Sequence, residues 1–229
     1  NDPDGGTTYD ADAGTIAFDL DAGELVDCTV NNRAQGRILL EKETDPLSED
    51  GTFTYTQGGG ITDFDDDSTW GSGTSGELST TNGKDGWLSG YVTAGTYTIS
   101  EDTLPAEWNL ADITCQETNV LTGGAGDGGS SGSIATDAKS GTATYDVDPG
   151  ETVLCTFTNT KLGMITVTKE TLPADSSETF DFTDVGIDWV SDPINLGNGD
   201  SASSVPLPAG DYSITEIGVG GWDLTGLTC

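Results

Sequence analysis

Histidine is absent from this 229-residue chain, and methionine occurs once, at Met164. Without an imidazole the sequence lacks the commonest acid–base group near neutral pH. Cations are also scarce: seven Lys and Arg face forty Asp and Glu, for a net charge of −33. Such a chain repels phosphates and anionic lipid head groups, which excludes nucleic acid and membrane surfaces as partners. No apolar run approaches the roughly twenty residues of a membrane span, so no membrane insertion is expected in this segment. No basic-then-apolar leader opens it either; any signal or anchor is expected outside the segment or removed by processing. The acidity reads first as a solvated surface suited to high salt or to life outside the cell, and second as affinity for divalent cations.

What the sequence does have is glycine and threonine in short alternating stretches. Thr52-Phe53-Thr54-Tyr55, Thr96-Tyr97-Thr98-Ile99 and Ile165-Thr166-Val167-Thr168 alternate apolar with hydroxyl residues, the pattern of strands with one buried face. Turn clusters separate them at Gly58-Gly59-Gly60, Asn82-Gly83, Gly123-Gly124 and Asn198-Gly199-Asp200. No window keeps a helical apolar period, so the class is all-β.

An internal duplication sets the domain count at two. Gly14 to Glu24 lies on Gly141 to Glu151, and Cys28-Thr29-Val30-Asn31-Asn32 on Cys155-Thr156-Phe157-Thr158-Asn159. Lys42-Glu43-Thr44 matches Lys169-Glu170-Thr171, Ala94 to Glu101 matches Ala209 to Glu216, and Trp108 to Cys115 matches Trp222 to Cys229. Residues 33–160 therefore form one complete module, with an insertion at 58–91. Residues 161–229 form a second module lacking its last strands, and residues 1–32 look like those strands. Reading Cys229 straight into Asn1 restores the order found between Cys115 and Asn159. Either identical units follow one another covalently through this 229/1 junction, or each subunit donates its first strands to a neighbour. A chain whose ends close on each other or stay open is the third reading, and it leaves a bare strand edge.

Four cysteines in an acidic, secreted-looking chain imply disulfides. The repeat pairs Cys115 with Cys155 inside one module. By the same register Cys28 pairs with Cys229, across the unit junction or within a closed molecule.

The strand Ile165 to Lys169, the segment Leu207 to Glu216, Gly221-Trp222-Asp223-Leu224 and the closing Cys155 to Thr160 resemble prealbumin-like-fold repeats of bacterial and archaeal surface proteins. Those repeats are relatives of collagen-adhesin B-repeats and pilin shaft domains. The resemblance implies two tandem Greek-key, Ig-like β-sandwich modules used as a spacer, stalk or fibre. It also implies a spontaneous isopeptide bond in some members, between a first-strand Lys and a last-strand Asn beside a buried acid. The matching positions are Lys42, Glu101 and Asn159 in the first module. In the second they are Lys169, Glu216 and Asn32, the last supplied across the junction. Such a bond needs a lysine kept neutral by an apolar core and an acid to polarise the amide. Lys42 is flanked by Glu41 and Glu43, as a solvated strand end would be, so an ordinary surface ion pair is the competing reading.

No cofactor is expected. Calcium is a candidate at Asp63, Asp65, Asp66 and Asp67, although no spaced calcium loop is present. Trp108 and Trp222 occupy equivalent places and read as packing residues; Trp70, Trp87 and Trp189 read as core or as an aromatic patch. No nucleophile–base pair or metal-ligand cluster argues for an enzyme. The expected role is a repeat unit of an extracellular, cell-surface filament whose partners are copies of itself. An adhesin presenting a carbohydrate- or protein-binding insertion is the alternative.

Overall fold

The computed structural model describes residues 6–59, 61, 75–119, 124–125, 135–137 and 139–229, and every regular element among them is a β-strand. The chain divides into two units, Asn1–Ala34 and Gln35–Cys229.

The first unit holds one hairpin, β1 (Thr8–Asp10) against β2 (Thr15–Ala17), with Thr8 opposite Ala17 and Asp10 opposite Thr15. Asp10 accepts the backbone N–H of Asp12 at 3.0 Å and of Ala13 at 3.0 Å, and Gly14 takes the left-handed conformation that closes the turn (φ 64°). Residues 18–34 form no strand.

The second unit begins with a complete sandwich. Its strands are β3 (Arg37–Asp45), β4 (Thr52–Gly58), β5 (Ser75–Ser79), β6 (Lys84–Leu88), β7 (Gly95–Glu101), β8 (Trp108–Asn119), β9 (Gly124–Ala125), β10 (Ala135–Asp137), β11 (Thr142–Val147) and β12 (Glu151–Lys161). They form two five-stranded sheets, ordered β10-β11-β7-β4-β5 and β6-β3-β12-β8-β9. Period-two alternation decides which side chains enter the core. Ile38 and Leu40 of β3, Phe53 and Tyr55 of β4, Tyr97 and Ile99 of β7, Tyr145 and Val147 of β11, and Val153 and Phe157 of β12 point inward and are buried. Burial of each large apolar side chain contributes roughly 1.5–3 kcal/mol. Phe53 meets Trp108 edge to face at 5.3 Å between centroids. Among the described residues the only parallel ladder of this sandwich joins β12 to β3, from Thr152 beside Arg37 to Thr160 beside Asp45. The chain therefore enters and leaves the module at opposite poles.

The stretch 58–91 set apart from sequence contains β5 and β6, one for each sheet. They meet at Asn82-Gly83, both at positive φ, a two-residue turn bridged by Thr81 and Lys84. The offset between the duplicated halves is 127 at Lys42 and 115 at Glu101, so the first module's surplus over the second is only twelve residues.

The remaining strands are β13 (Thr166–Thr168), β14 (Phe180–Val185), β15 (Asn195–Leu196), β16 (Ser201–Ser203) and β17 (Ser213–Glu216). They repeat part of the first module's geometry. The pairs β13-β16 and β15-β14-β17 reproduce β3-β6 and β5-β4-β7. Gly163 bridges Leu207 as Gly36 bridges Val92, and Phe182 faces Glu216 as Tyr55 faces Glu101. The Ser204 hydroxyl accepts the Ile165 N–H at 2.9 Å as the Ser89 hydroxyl accepts that of Ile38 at 2.8 Å. The Tyr212 hydroxyl donates to the Pro208 carbonyl at 2.7 Å as Tyr97 does to Thr93 at 2.5 Å. Phe180 meets Trp222 edge to face at 5.5 Å. Ile187, Trp189, Ile194, Leu196 and Leu207 form the small core. Residues Trp222–Cys229, which match the start of β8, form no strand.

Candidate functional site

Lysine 42 lies four residues after Ile38 on β3, so strand parity turns it inward whatever its neighbours are. It is fully buried (0% exposed), and the solvated-end reading suggested by Glu41 and Glu43 fails. Its Nζ lies 3.1 Å from Glu101 Oε1, donates to the Phe157 carbonyl at 3.2 Å and sits 4.3 Å above the Phe53 ring. Glu101 ends β7 on the same inward parity as Tyr97 and Ile99, and Asn159 follows Phe157 on β12. Glu101 Oε1 accepts three donors: Lys42 Nζ, the Asn159 amide at 2.9 Å and the Tyr55 hydroxyl at 3.1 Å. Glu101 Oε2 and Asn159 Oδ1 are buried without a hydrogen-bond partner.

A buried ion pair costs desolvation on both sides. Burial lowers the Lys42 pKa from 10.5 to about 8, and the attraction and hydrogen bond of Glu101 oppose that shift only in part. Burial, reinforced by Glu101, pushes the Tyr55 hydroxyl up, so it stays a donor. The arrangement holds an amine of lowered basicity and a primary amide on one carboxylate oxygen in a dry pocket. Replacing Tyr55 by Phe, the residue the second module carries as Phe182, is expected to cost about 1–3 kcal/mol. Equilibrium urea unfolding measures this, and an unchanged midpoint would show that the hydroxyl adds nothing to the cluster.

The second module holds the same pair in open form. Lys169 Nζ is 2.9 Å from Glu216 Oε2 and 4.1 Å from the Phe180 ring centre, with side-chain exposures of 12% and 13% for the two charged partners. Its amide counterpart, Asn32, belongs to the first unit and is exposed there.

Cys115 and Cys155 are directly opposite in the β8–β12 ladder and form a disulfide. Cys28 and Cys229 are free and exposed. Asp63, Asp65, Asp66, Asp67 and Trp70 lie outside the described residues. Among the described residues no group of three or more His, Cys, Asp or Glu converges as a metal site would require, and no helix is long and apolar enough to cross a membrane. Trp87 and Trp189 are buried at 3% and 8% exposure, so neither presents a ring to a ligand. Sequence reasoning missed Tyr55 as the third donor; its inward parity on β4, one strand from Glu101, was the available signal.

No curated protein matches the chain. Among solved structures, the chain is similar to the major pilin T-13 of Streptococcus pyogenes at 14% identity, covering 84% of this chain and 85% of that one, with a TM-score of 0.32. It is also similar to a streptococcal ancillary pilin at 13% identity, covering 85% and 57%, TM-score 0.36. The full-length major pilin of Corynebacterium diphtheriae aligns at 15% identity, covering 82% and 57%, TM-score 0.32. Residues 38–161, more than half of the chain, match the profile of the prealbumin-like fold domain. The chain belongs to the prealbumin-like fold domain family.

Proposed function

We propose that this protein is a structural, non-enzymatic subunit of an extracellular fibre on a cell surface, built from copies of itself joined head to tail. The observation that carries the reading is the duplication: residues 8–32 match, in order, the segment of the first module that follows Cys115, and Trp222–Cys229 matches Trp108–Cys115. Copies meet at the 229/1 junction, through chain continuity or by strand donation. The acidic surface suits an extracellular setting, and the Cys115–Cys155 disulfide suits an oxidising one.

Tension along a fibre is borne by covalent links, and the buried cluster supports one more of these. In this reading Lys42 passes a proton to Glu101, and the neutral Nζ attacks Asn159 Cγ. The new C–N bond forms and the Cγ–Nδ2 bond breaks; Glu101 hands its proton to the leaving nitrogen, which departs as ammonia, and takes up the second Nζ proton, so that the amide nitrogen keeps one hydrogen and Glu101 ends protonated. The product is an amide between β3 and β12, neighbours at the centre of their sheet.

Electron microscopy of the concentrated full-length chain tests the assembly. Unbranched fibres with a two-module repeat are expected; a chain that stays monomeric at every concentration and ionic strength would sink the reading.

A further inference from the structure

Four strands of the first module each bring one polar side chain to the buried cluster: Lys42 from β3, Tyr55 from β4, Glu101 from β7 and Asn159 from β12. Tyr55 exchanges no atom in the amide reaction, yet it is fully buried and faces Glu101 directly across the β4–β7 ladder. Its ring meets Phe157 edge to face at 5.3 Å between centroids, which fixes where the hydroxyl points. That hydroxyl donates to Glu101 Oε1 at 3.1 Å. Burial first, then the charge and hydrogen bond of Glu101, and last the charge of Asp85 on β6 push its pKa up, so it stays a donor.

The donors around Glu101 are unevenly shared. Oε1 accepts Lys42 Nζ at 3.1 Å, the Asn159 amide at 2.9 Å and the Tyr55 hydroxyl, whereas Oε2 and Asn159 Oδ1 are buried without a partner. While Glu101 is ionised, both bare atoms are acceptors and cannot bond each other. An unpartnered buried acceptor costs stability, so the site favours whatever supplies a donor. A proton on Oε2 does so: it makes Oε2 a donor for Oδ1 and leaves Oε1 a full acceptor for Tyr55 and Asn159. A proton on Oε1 does the reverse. It weakens Oε1 as an acceptor, leaves Oε2 and Oδ1 bare, and stays hydrogen-bonded to the Nζ lone pair that has to attack.

Of the three donors that impose this choice, two are consumed by the reaction. Lys42 Nζ gives up protons, and Asn159 Nδ2 leaves as ammonia. The Tyr55 hydroxyl can stay on Oε1 from start to finish. We infer that Tyr55 is a positioning residue for the Lys42–Asn159 amide: by holding Glu101 Oε1 it keeps the acid proton on Oε2, aimed at Asn159 Oδ1. The inference rests on the amide reading and adds a residue to it. The proton that leaves Nζ comes to rest on Oε2 and hydrogen-bonds Oδ1, drawing electrons from Cγ as the Nζ–Cγ bond forms. It then passes to the leaving nitrogen as the Cγ–Nδ2 bond breaks. The second Nζ proton replaces it, so Glu101 ends protonated with Tyr55 still on Oε1. A phenylalanine cannot hold the carboxyl group in this way, and Phe182 stands opposite Glu216 in the second module where Tyr55 stands opposite Glu101 in the first. The ring serves packing in both modules, and the hydroxyl is particular to the first.

Tyr55→Phe isolates the hydroxyl, because it keeps the ring against Phe157. Full-length parent and variant chains, recovered unreacted in urea from inclusion bodies, are refolded side by side under a glutathione redox buffer at a series of pH values. Intact mass spectrometry times the loss of ammonia, and non-reducing peptide maps read the Cys115–Cys155 disulfide as a check that the module has folded. The variant should form the disulfide as the parent does but lose ammonia more slowly, by about tenfold or more. The deficit should be the same factor at every pH, since Lys42 and Glu101 remain in place. The sign of the change is the discriminating readout. A hydroxyl that only stabilised the carboxylate would hold Glu101 back from taking the proton, so its loss would speed the reaction. A variant as fast as the parent or faster, or one whose deficit disappears as pH rises, overturns the positioning role and leaves the amide standing. A variant that never forms the disulfide makes Tyr55 a residue of the fold alone and overturns the positioning role as well. A parent chain that never loses ammonia overturns the amide and the inference together.

Discussion

Replacement of Glu101 by Gln is expected to leave the first module at its full sequence mass, where the proposed bond would make the parent chain one ammonia lighter, and to lower the thermal midpoint by roughly 20 °C. Gln keeps the volume of the side chain but cannot carry the proton that must leave Lys42, so the amide to Asn159 does not form. Lys42 and Asn159 are 117 positions apart. A link closing a loop of this length restricts the unfolded chain by about 5 kcal/mol in the chain-entropy treatment used for disulfides. The reaction carries its own pH signature. Burial holds Lys42 at about 8 in the folded state against 10.5 in a solvated chain, so bond formation in freshly refolded chain should accelerate as pH rises through about 8. Before the bond forms, folding expels a proton from Lys42. This group's contribution is therefore least favourable below pH 8 and improves as pH climbs towards 10.5. Intact mass spectrometry after refolding at a series of pH values measures the first effect, and urea unfolding of Asn159→Ala, which cannot form the bond, measures the second. A parent chain at full sequence mass, with a midpoint equal to that of Glu101→Gln, would rule out the bond.

Much of this cluster was legible before the fold was known, because it follows from a period of two. Ile38, Leu40, Lys42 and Thr44 share one face of β3, Tyr97, Ile99 and Glu101 one face of β7, and Val153, Cys155, Phe157 and Asn159 one face of β12. The flanking Glu41 and Glu43 suggested a solvated strand end, yet they occupy the opposite face, so local charge misled where parity would not have. The disulfide was legible because the repeat placed both cysteines in one module. The strand content of 58–91 was not, since β5 and β6 are short and split between sheets, and their partners are strands distant in sequence. Tyr55 was missed for the same reason: only the β4–β7 ladder brings its hydroxyl to Glu101. Trp222–Cys229 matches the start of β8 in sequence yet is not a strand: hydrogen bonding in a sheet belongs to the pair and not to the segment.

Removal of the Cys115–Cys155 disulfide by paired substitution to Ala is expected to cost about 4 kcal/mol, the chain-entropy value for the 40-residue loop it closes. The effect should appear as a lower denaturant midpoint with little change in folded spectra, because the two side chains are already held opposite each other by the β8–β12 ladder. The disulfide and the proposed amide are nested, since positions 115 and 155 both lie between 42 and 159. With the amide in place, the unfolded chain already brings Cys155 nearer to Cys115 by the alternative path through Asn159 and Lys42, so the disulfide then removes slightly less entropy than it does from an open chain. The loss on removing both links should therefore slightly exceed the sum of the two single losses, a coupling that a double-mutant cycle with Glu101→Gln reads directly. Were the amide absent in the parent, Glu101→Gln would change no loop, and the disulfide would contribute the same amount in both backgrounds. Equality of the two values, measured by urea unfolding, would thus count against the amide independently of any mass measurement.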